Sequence, residues 1–154
     1  LFADDPANWR VAEPTAGLQN GNLDPDHDQD GLPDNWEDDN GLRGDDATGD
    51  NGAEGDPDHD GFTNLQEYQA GTEPQNPSSN LRLTGVTVND ADTTVRFLAV
   101  SDRTYTVLVC DDLAAGEWRR LADVPAQPAQ REVEVRDVAL QEVRFYRVVT
   151  PQVP

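Results

Sequence analysis

The sequence predicts a mainly β protein, an antiparallel sandwich preceded by a short tandem loop-helix module. Three observations predict it. The C-terminal half alternates apolar and polar residues with the period of two that marks half-buried strands. Two Asp-rich segments of twelve residues recur 30 residues apart, starting at Asp26 and Asp56. The charge is also confined. The chain of 154 residues has 31 acids against 11 bases, and residues 21–73 hold 17 of those acids with a single base, Arg43. That region carries −16 of the formal −20, whereas residues 74–154 balance 11 acids with nine Arg. The chain therefore divides into an N-terminal arm (1–20), an acidic module (21–73), a linker (74–80) and a sandwich (81–154).

The arm comes first. Asn8-Trp9-Arg10-Val11-Ala12 has strand-forming residues between Pro6 and Pro14 and adjoins no core of its own. All bases are Arg, and the chain has neither Lys nor Met. A chain that begins at Leu1 without Met reads as a mature or excised product, with its signal peptide gone. The single Cys110 excludes an internal disulfide, which makes metal the other common staple for a domain this small.

The module follows. From Asp26, acids fall at positions 1, 3, 5, 9 and 12 (Asp26, Asp28, Asp30, Asp34, Glu37), with Gly31 at 6. From Asp56 they fall at 1, 3, 5 and 12 (Asp56, Asp58, Asp60, Glu67), with Gly61 at 6 and Asn64 at 9. This is the spacing of an EF-hand-type Ca²⁺ loop. Calcium is a hard cation that takes about six to eight oxygens. Residues 1, 3 and 5 turn three carboxylates inward, Gly permits the bend, and the backbone carbonyls of Leu32 and Phe62 at position 7 add an oxygen. Position 9 contributes directly or through water, and the Glu at 12 reaches back from the first turn of an outgoing helix. Two calcium sites are expected, at an affinity of about 10⁻⁴–10⁻³ M if they behave as extracellular modules. So many carboxylates converge only if a cation offsets their repulsion, so binding is linked to folding. A disordered acidic linker is the alternative for any Asp/Gly-rich stretch. Against it stand two complete twelve-position matches, each followed by a helical turn: 34–40 closed by Gly41, and 63–70 closed by Gly71 as a left-handed cap. No helix enters either loop, because residues 19–22 and 51–55 are Asn/Gly-rich.

The run Asp-x-Asp-x-Asp-Gly-Leu-Pro-Asp-x-Trp-Glu, then Asp-x-Asp-x-Asp-Gly-Phe-Thr-Asn-Leu-Gln-Glu-Tyr-x-Ala-Gly-Thr-x-Pro, resembles the thrombospondin type 3-like, dockerin-related calcium repeats of secreted bacterial proteins. The stretch Thr104-Tyr105-Thr106-Val107, with Glu117-Trp118 and Arg144-Phe145-Tyr146-Arg147-Val148, is similar to the small sandwich that often follows them. The resemblance implies calcium as ligand and an extracellular or cell-surface setting. The spacer 38–55 is longer than the pattern, which leaves the placement of the two loops open. Asp24, Asp45, Asp46 and Asp50 are either extra ligands or solvated charge, the latter being favoured.

In the C-terminal part, Leu81, Leu83, Val86 and Val88 begin the strands, with Gly85 offering a bulge. Val95, Phe97 and Ala99 follow, then Tyr105, Val107 and Val109, Trp118 and Leu121, Val133 and Val135, and Val143, Phe145, Arg147 and Val149. Turn residues separate them at 89–92, 101–103, 111–116 and 125–128. About six strands suggest an immunoglobulin or fibronectin-III-like sandwich one strand short of the usual ~7.

Other signals point nowhere. His27 and His59 occupy non-ligand positions inside the loops and are expected to face water. No soft N/S cluster suits zinc, and no nucleophile elbow or phosphate loop is present. Arg43-Gly44-Asp45 spells an integrin-recognition tripeptide, a coincidence expected in an Asp/Gly-rich spacer. Trp36, Leu65 and Tyr68 are expected to pack the loop-helix units together, and Cys110 to be a small buried residue. No catalytic constellation stands out, so an enzyme is not expected. A charge of −20 disfavours nucleic acid and anionic membrane, and no apolar run approaches the ~18 residues of a spanning helix.

Two functions fit. The first is a calcium-stabilised extracellular structural subunit, self-associating into a homopolymeric surface fibre or layer by β-strand addition from the arm. The second is a carbohydrate-binding or anchoring module of a larger secreted hydrolase or adhesin, with Trp118 or the Trp36 face stacking on glycan.

Overall fold

The computed structural model describes residues 25–138 and 143–154. The arm, with its expected donor strand, and Asp24 lie outside the described residues. The acidic module forms two short helices, α1 (Asp34–Asp39) and α2 (Asn64–Ala70). Six strands follow: β1 (Leu83–Val88), β2 (Thr93–Ala99), β3 (Tyr105–Cys110), β4 (Arg119–Val124), β5 (Arg131–Asp137) and β6 (Phe145–Val149). They make two antiparallel sheets, ordered β1-β2-β5 and β4-β3-β6. No helix among the described residues is long and apolar enough to cross a membrane.

Local chemistry places the turns. Asn89 closes the β1–β2 hairpin, its N–H donating to the Asp92 carbonyl at 2.8 Å and its Nδ2 to the Asp92 carboxylate at 3.3 Å. The β1–β2 register shifts between Leu83 and Gly85, where the sequence offers its bulge. Gly71 caps α2 at φ 74°, its N–H reaching the Glu67 carbonyl at 2.7 Å.

Between the sheets lie Val95, Phe97, Ala99, Tyr105, Val107, Val124 and Val135, all buried. Phe97 and Tyr105 meet edge to face at 5.2 Å, and the Tyr105 hydroxyl accepts from the Val100 N–H at 2.8 Å. Burying each large side chain contributes about 1.5–3 kcal/mol, so these residues hold the two sheets face to face.

β3 is buried on both faces, which a half-buried strand would not be. Residues 150–154 reach its outer side at Thr106. The N–H of Val153 donates to Thr106 Oγ1 at 3.1 Å, and Arg120 donates to the Val153 and Pro154 carbonyls at 2.7 and 2.6 Å. After β6 the chain thus crosses the outer face of its sheet toward β4. A second tie joins the ends of β5 and β6. Arg144, itself nearly buried, donates to Asp137 at 2.6 Å and to Asp111 at 2.7 Å, and the Tyr146 hydroxyl reaches Asp137 at 3.0 Å.

Candidate metal centre

The two Asp loops are geometric copies of each other. Carboxylate oxygens of Asp26, Asp28 and Asp30 lie within 4.8 Å of one another, as do those of Asp56, Asp58 and Asp60. Backbone N–H groups aim them. In the first loop Gly31 donates to Asp26 at 3.1 Å, Asp30 to Asp28 at 3.3 Å and Leu32 to Asp30 at 2.9 Å. In the second, Gly61 donates to Asp56 at 3.0 Å, Asp60 to Asp58 at 3.1 Å and Phe62 to Asp60 at 2.9 Å. Positions 7, Leu32 and Phe62, are thereby tied into the loops. The bend takes two left-handed residues in each copy, Gln29 and Gly31 at φ 62° and 100°, His59 and Gly61 at φ 62° and 93°. The pattern of glycines announces only the second of each pair.

The helices bring the position-12 acids to these triads. Glu37 and Glu67 sit in the first turns of α1 and α2, and both are fully buried. Neither carboxylate oxygen of Glu37 has a hydrogen-bond partner, nor has Glu67 Oε2. Asp26 Oδ1, Asp28 Oδ2 and Asp58 Oδ2 are buried and unpartnered as well. Burial first, and then the negative charges of the neighbouring aspartates, push Glu37 and Glu67 up to about 7. Burial likewise raises Asp28 and Asp58. Native proteins seldom leave buried carboxylates without donors. The two Asp triads could each hold a metal ion, and an all-oxygen donor set selects a hard one.

Position 9 differs between the copies. Asp34 turns its carboxylate to His27, accepting the backbone N–H at 2.9 Å and bonding the ring Nδ1, while the His27 ring faces water as expected. The His27 amide is the main reason that Asp34 is held below the usual carboxylate range. Asn64 instead sends Nδ2 to the carbonyls of Asp50 and Gly52 at 2.9 and 2.8 Å, while its Oδ1 is buried and unpartnered.

The spacer is what joins the loops. The Ala53 N–H donates to Asp30 at 2.6 Å, and the Ala53 carbonyl accepts from Leu65 at the start of α2 at 3.0 Å. Gly52 and Gly55 permit this path, since a side chain on either would strike backbone atoms of residues 47–50 within 3 Å. Trp36 and Tyr68 meet edge to face at 5.3 Å, packing α1 on α2 as their spacing suggests. Among the spacer acids, Asp45 and Asp46 face Arg43, and Asp46 also accepts from Thr48 at 2.6 Å. The Arg43-Gly44-Asp45 tripeptide is thereby closed on itself. Asp50 is exposed.

Three further residues serve the site without belonging to the twelve-position pattern. Thr72 donates to Glu67 at 3.1 Å, and Asn80 donates to Asp60 at 2.8 Å, so the stretch 74–80 folds back onto the second loop. Thr63 caps α2 with Gln66 in a reciprocal box. Only the last has a readable signal, Thr followed three residues later by Gln.

Against this geometry, comparison with protein-family models, with curated proteins and with solved structures finds no match.

Proposed function

We propose that the chain is a calcium-stabilised extracellular structural subunit, which self-associates into a surface fibre or layer by strand addition from its N-terminal arm. The observation that carries the metal half is the pair of buried glutamates, Glu37 and Glu67, with unpartnered oxygens beside the Asp triads. Each loop then offers carboxylates from positions 1, 3, 5 and 12, the oxygen-rich set calcium takes. Bound there, the ion supplies charge neutralisation and fixes the loops. The chain's own residues hold the oxygens in place through the backbone N–H groups of the bend.

The assembly half is supported by the sandwich. Each of its sheets contains one non-sequential pairing, β2 with β5 and β3 with β6, in the manner of an immunoglobulin or fibronectin-III-like Greek key. Six strands are described where that architecture has about seven. The glycan reading has no comparable support among the described residues. The Trp118 ring is covered by the Arg147 guanidinium at 4.6 Å, and Trp36 is engaged by Tyr68.

Sedimentation and negative-stain microscopy of the intact chain, in millimolar calcium and again in chelator, test the proposal. Regular polymers in calcium are expected, and a chain lacking residues 1–12 should remain a folded, calcium-binding monomer. A monodisperse monomer of the intact chain in both conditions would refute the assembly half. A melting temperature indifferent to chelator would refute the metal half.

A further inference from the structure

The sandwich is closed on one side and open on the other. On the inner face of the β1-β2-β5 sheet, Val95 and Phe97 of β2 are fully buried. Val86 pairs directly with Val95, and Val88 with Thr93, so both share that inner face, yet they are 52% and 73% exposed. The cover supplied by the opposite sheet therefore ends between β2 and β1. Part of that cover is β6, whose Tyr146 and Val148 pack on the core and whose Tyr146 hydroxyl meets Thr93 of β2, the direct partner of Val88. Among the described residues β6 pairs only with β3, which leaves its other edge without a ladder. Nor do residues 150–154 run back along that edge, because they cross the outer face to Thr106 and Arg120. What is left among the described residues is a lane floored by the valines of β1 and flanked by the free edge of β6.

We infer that this lane takes residues 7–12 of a second copy of the chain, an inference that rests on the subunit reading above. The segment has the required pattern. Ala7, Trp9 and Val11 fall on one face of a strand and would lie over Val86 and Val88, while Asn8 and Arg10 face out. Pro6 and Pro14 cannot donate to a ladder and so limit the added strand to about the length of β6. The reach is sufficient. The Pro25 carbonyl is anchored by the Asp34 N–H at 2.8 Å, and the thirteen residues from Ala12 to Pro25 can span up to about 45 Å when extended. Each copy gives one arm and receives one, a head-to-tail contact that does not close on itself.

Disulfide trapping tests the pairing, since Cys110 is buried and stays in place. A Val11→Cys chain is mixed in calcium with a Val86→Cys chain and mildly oxidised. The expected product is a dimer linked between the two variants, with no link formed to an Arg119→Cys chain, whose cysteine lies on β4 in the opposite sheet. Polymers that sediment normally but link Val11→Cys to Arg119→Cys instead would overturn the lane and leave the subunit reading intact. A single chain with Val11→Cys and Val86→Cys that links only within itself would overturn a second copy as the occupant. Monomers under every condition would overturn both readings. As a second measurement, the Val86→Asp, Val88→Asp double variant should keep its circular dichroism and lose polymerisation at least tenfold. Undiminished assembly of that variant would refute the lane.

Discussion

Replacing Glu37 with Gln should stabilise the protein without calcium and cancel that gain in calcium. In the metal-free protein Glu37 is buried with no hydrogen-bond donor, among the charges of Asp30, Asp28, Asp34 and Asp26, and is raised from 4.5 to about 7. At ~1.4 kcal/mol for each pH unit, holding it ionised above neutrality costs the fold about 3 kcal/mol. The Gln amide has the same shape, no charge, and two N–H donors for the surrounding carboxylates. Glu37→Gln should therefore stabilise the metal-free protein at pH 7.5 by about 2–3 kcal/mol. In calcium the same change deletes a ligand. An ion present at a hundred times its dissociation constant stabilises the folded state by about 2.7 kcal/mol, and losing that contribution from the first loop offsets the gain, so the net change in calcium is near zero. Urea unfolding followed by tryptophan fluorescence, in chelator and in millimolar calcium, reads the gain and its cancellation. A destabilisation of equal size in the two buffers would refute the reasoning, because Glu37 would then be an ordinary packed residue.

The remaining expectations are brief. For pH, the folded-state values of Glu37 and Glu67 lie above their unfolded value of 4.5, so in chelator stability should rise as pH falls from about 7 toward 4.5. In calcium, protons compete with metal and the slope reverses; melting curves from pH 4.5 to 7.5 in both buffers check this, and parallel slopes would count against metal at these carboxylates. Asn80→Ala removes the 2.8 Å bond to Asp60 and should weaken one of two calcium sites about tenfold, leaving the other unchanged by calorimetric titration. Equal weakening of both would show that the loops act as a single unit. Arg144→Met removes the guanidinium that donates to the buried Asp137 carboxylate at 2.6 Å while the Tyr146 hydroxyl stays in place, and should cost about 1.5–3 kcal/mol by urea unfolding. Gly61→Ala meets no neighbour within 4 Å but must hold φ 93°, so its cost of about 1–3 kcal/mol is one of backbone conformation alone, and a thermal shift near zero would refute it.

Local chemistry was legible in the sequence, and long-range pairing was not. The twelve-residue spacing placed the Asp triads and the outgoing helices, because each contact that shapes a loop spans only a few residues. Gly85 marked the bulge and Gly71 the helix cap for the same reason. Alternation found the strands but not their partners. Nothing in β2 says that it will pair with β5 rather than β3, since all three present apolar residues at the same period. β3 shows the limit most plainly. Thr106, Leu108 and Cys110 alternate with core residues as outward positions should, yet they are buried, and the residues 150–154 that reach Thr106 arrive from far along the chain. The two position-9 residues illustrate it on a smaller scale. Asp34 and Asn64 are equivalent in the pattern, but one is turned by His27 within its own loop and the other by spacer carbonyls twelve to fourteen residues away. Only the first partner is near enough in sequence to be weighed, and no rule of spacing selects it.

The distribution of charge connects the loops to the sandwich and both to assembly. A chain of formal charge −20 repels its copies, and 16 of those charges lie in the module next to the proposed donor arm. Two divalent cations in the proposed sites would cancel four charges where the carboxylates are most crowded. The second loop is also joined to the sandwich: Asn80 bonds Asp60, Arg103 donates to the Tyr68 carbonyl at 3.2 Å, and Gly71 lies against Val100 and Arg103. Ordering that loop therefore fixes how the module, and with it the start of the arm at Pro25, sits relative to the open side of the sandwich. Strand addition between copies requires that direction to be fixed, because a freely swivelling arm loses the entropy of ordering at every contact. On the proposed reading calcium would act twice in one site. It would lower the repulsion between subunits at long range, and it would remove the conformational freedom that otherwise opposes the next arm as it docks.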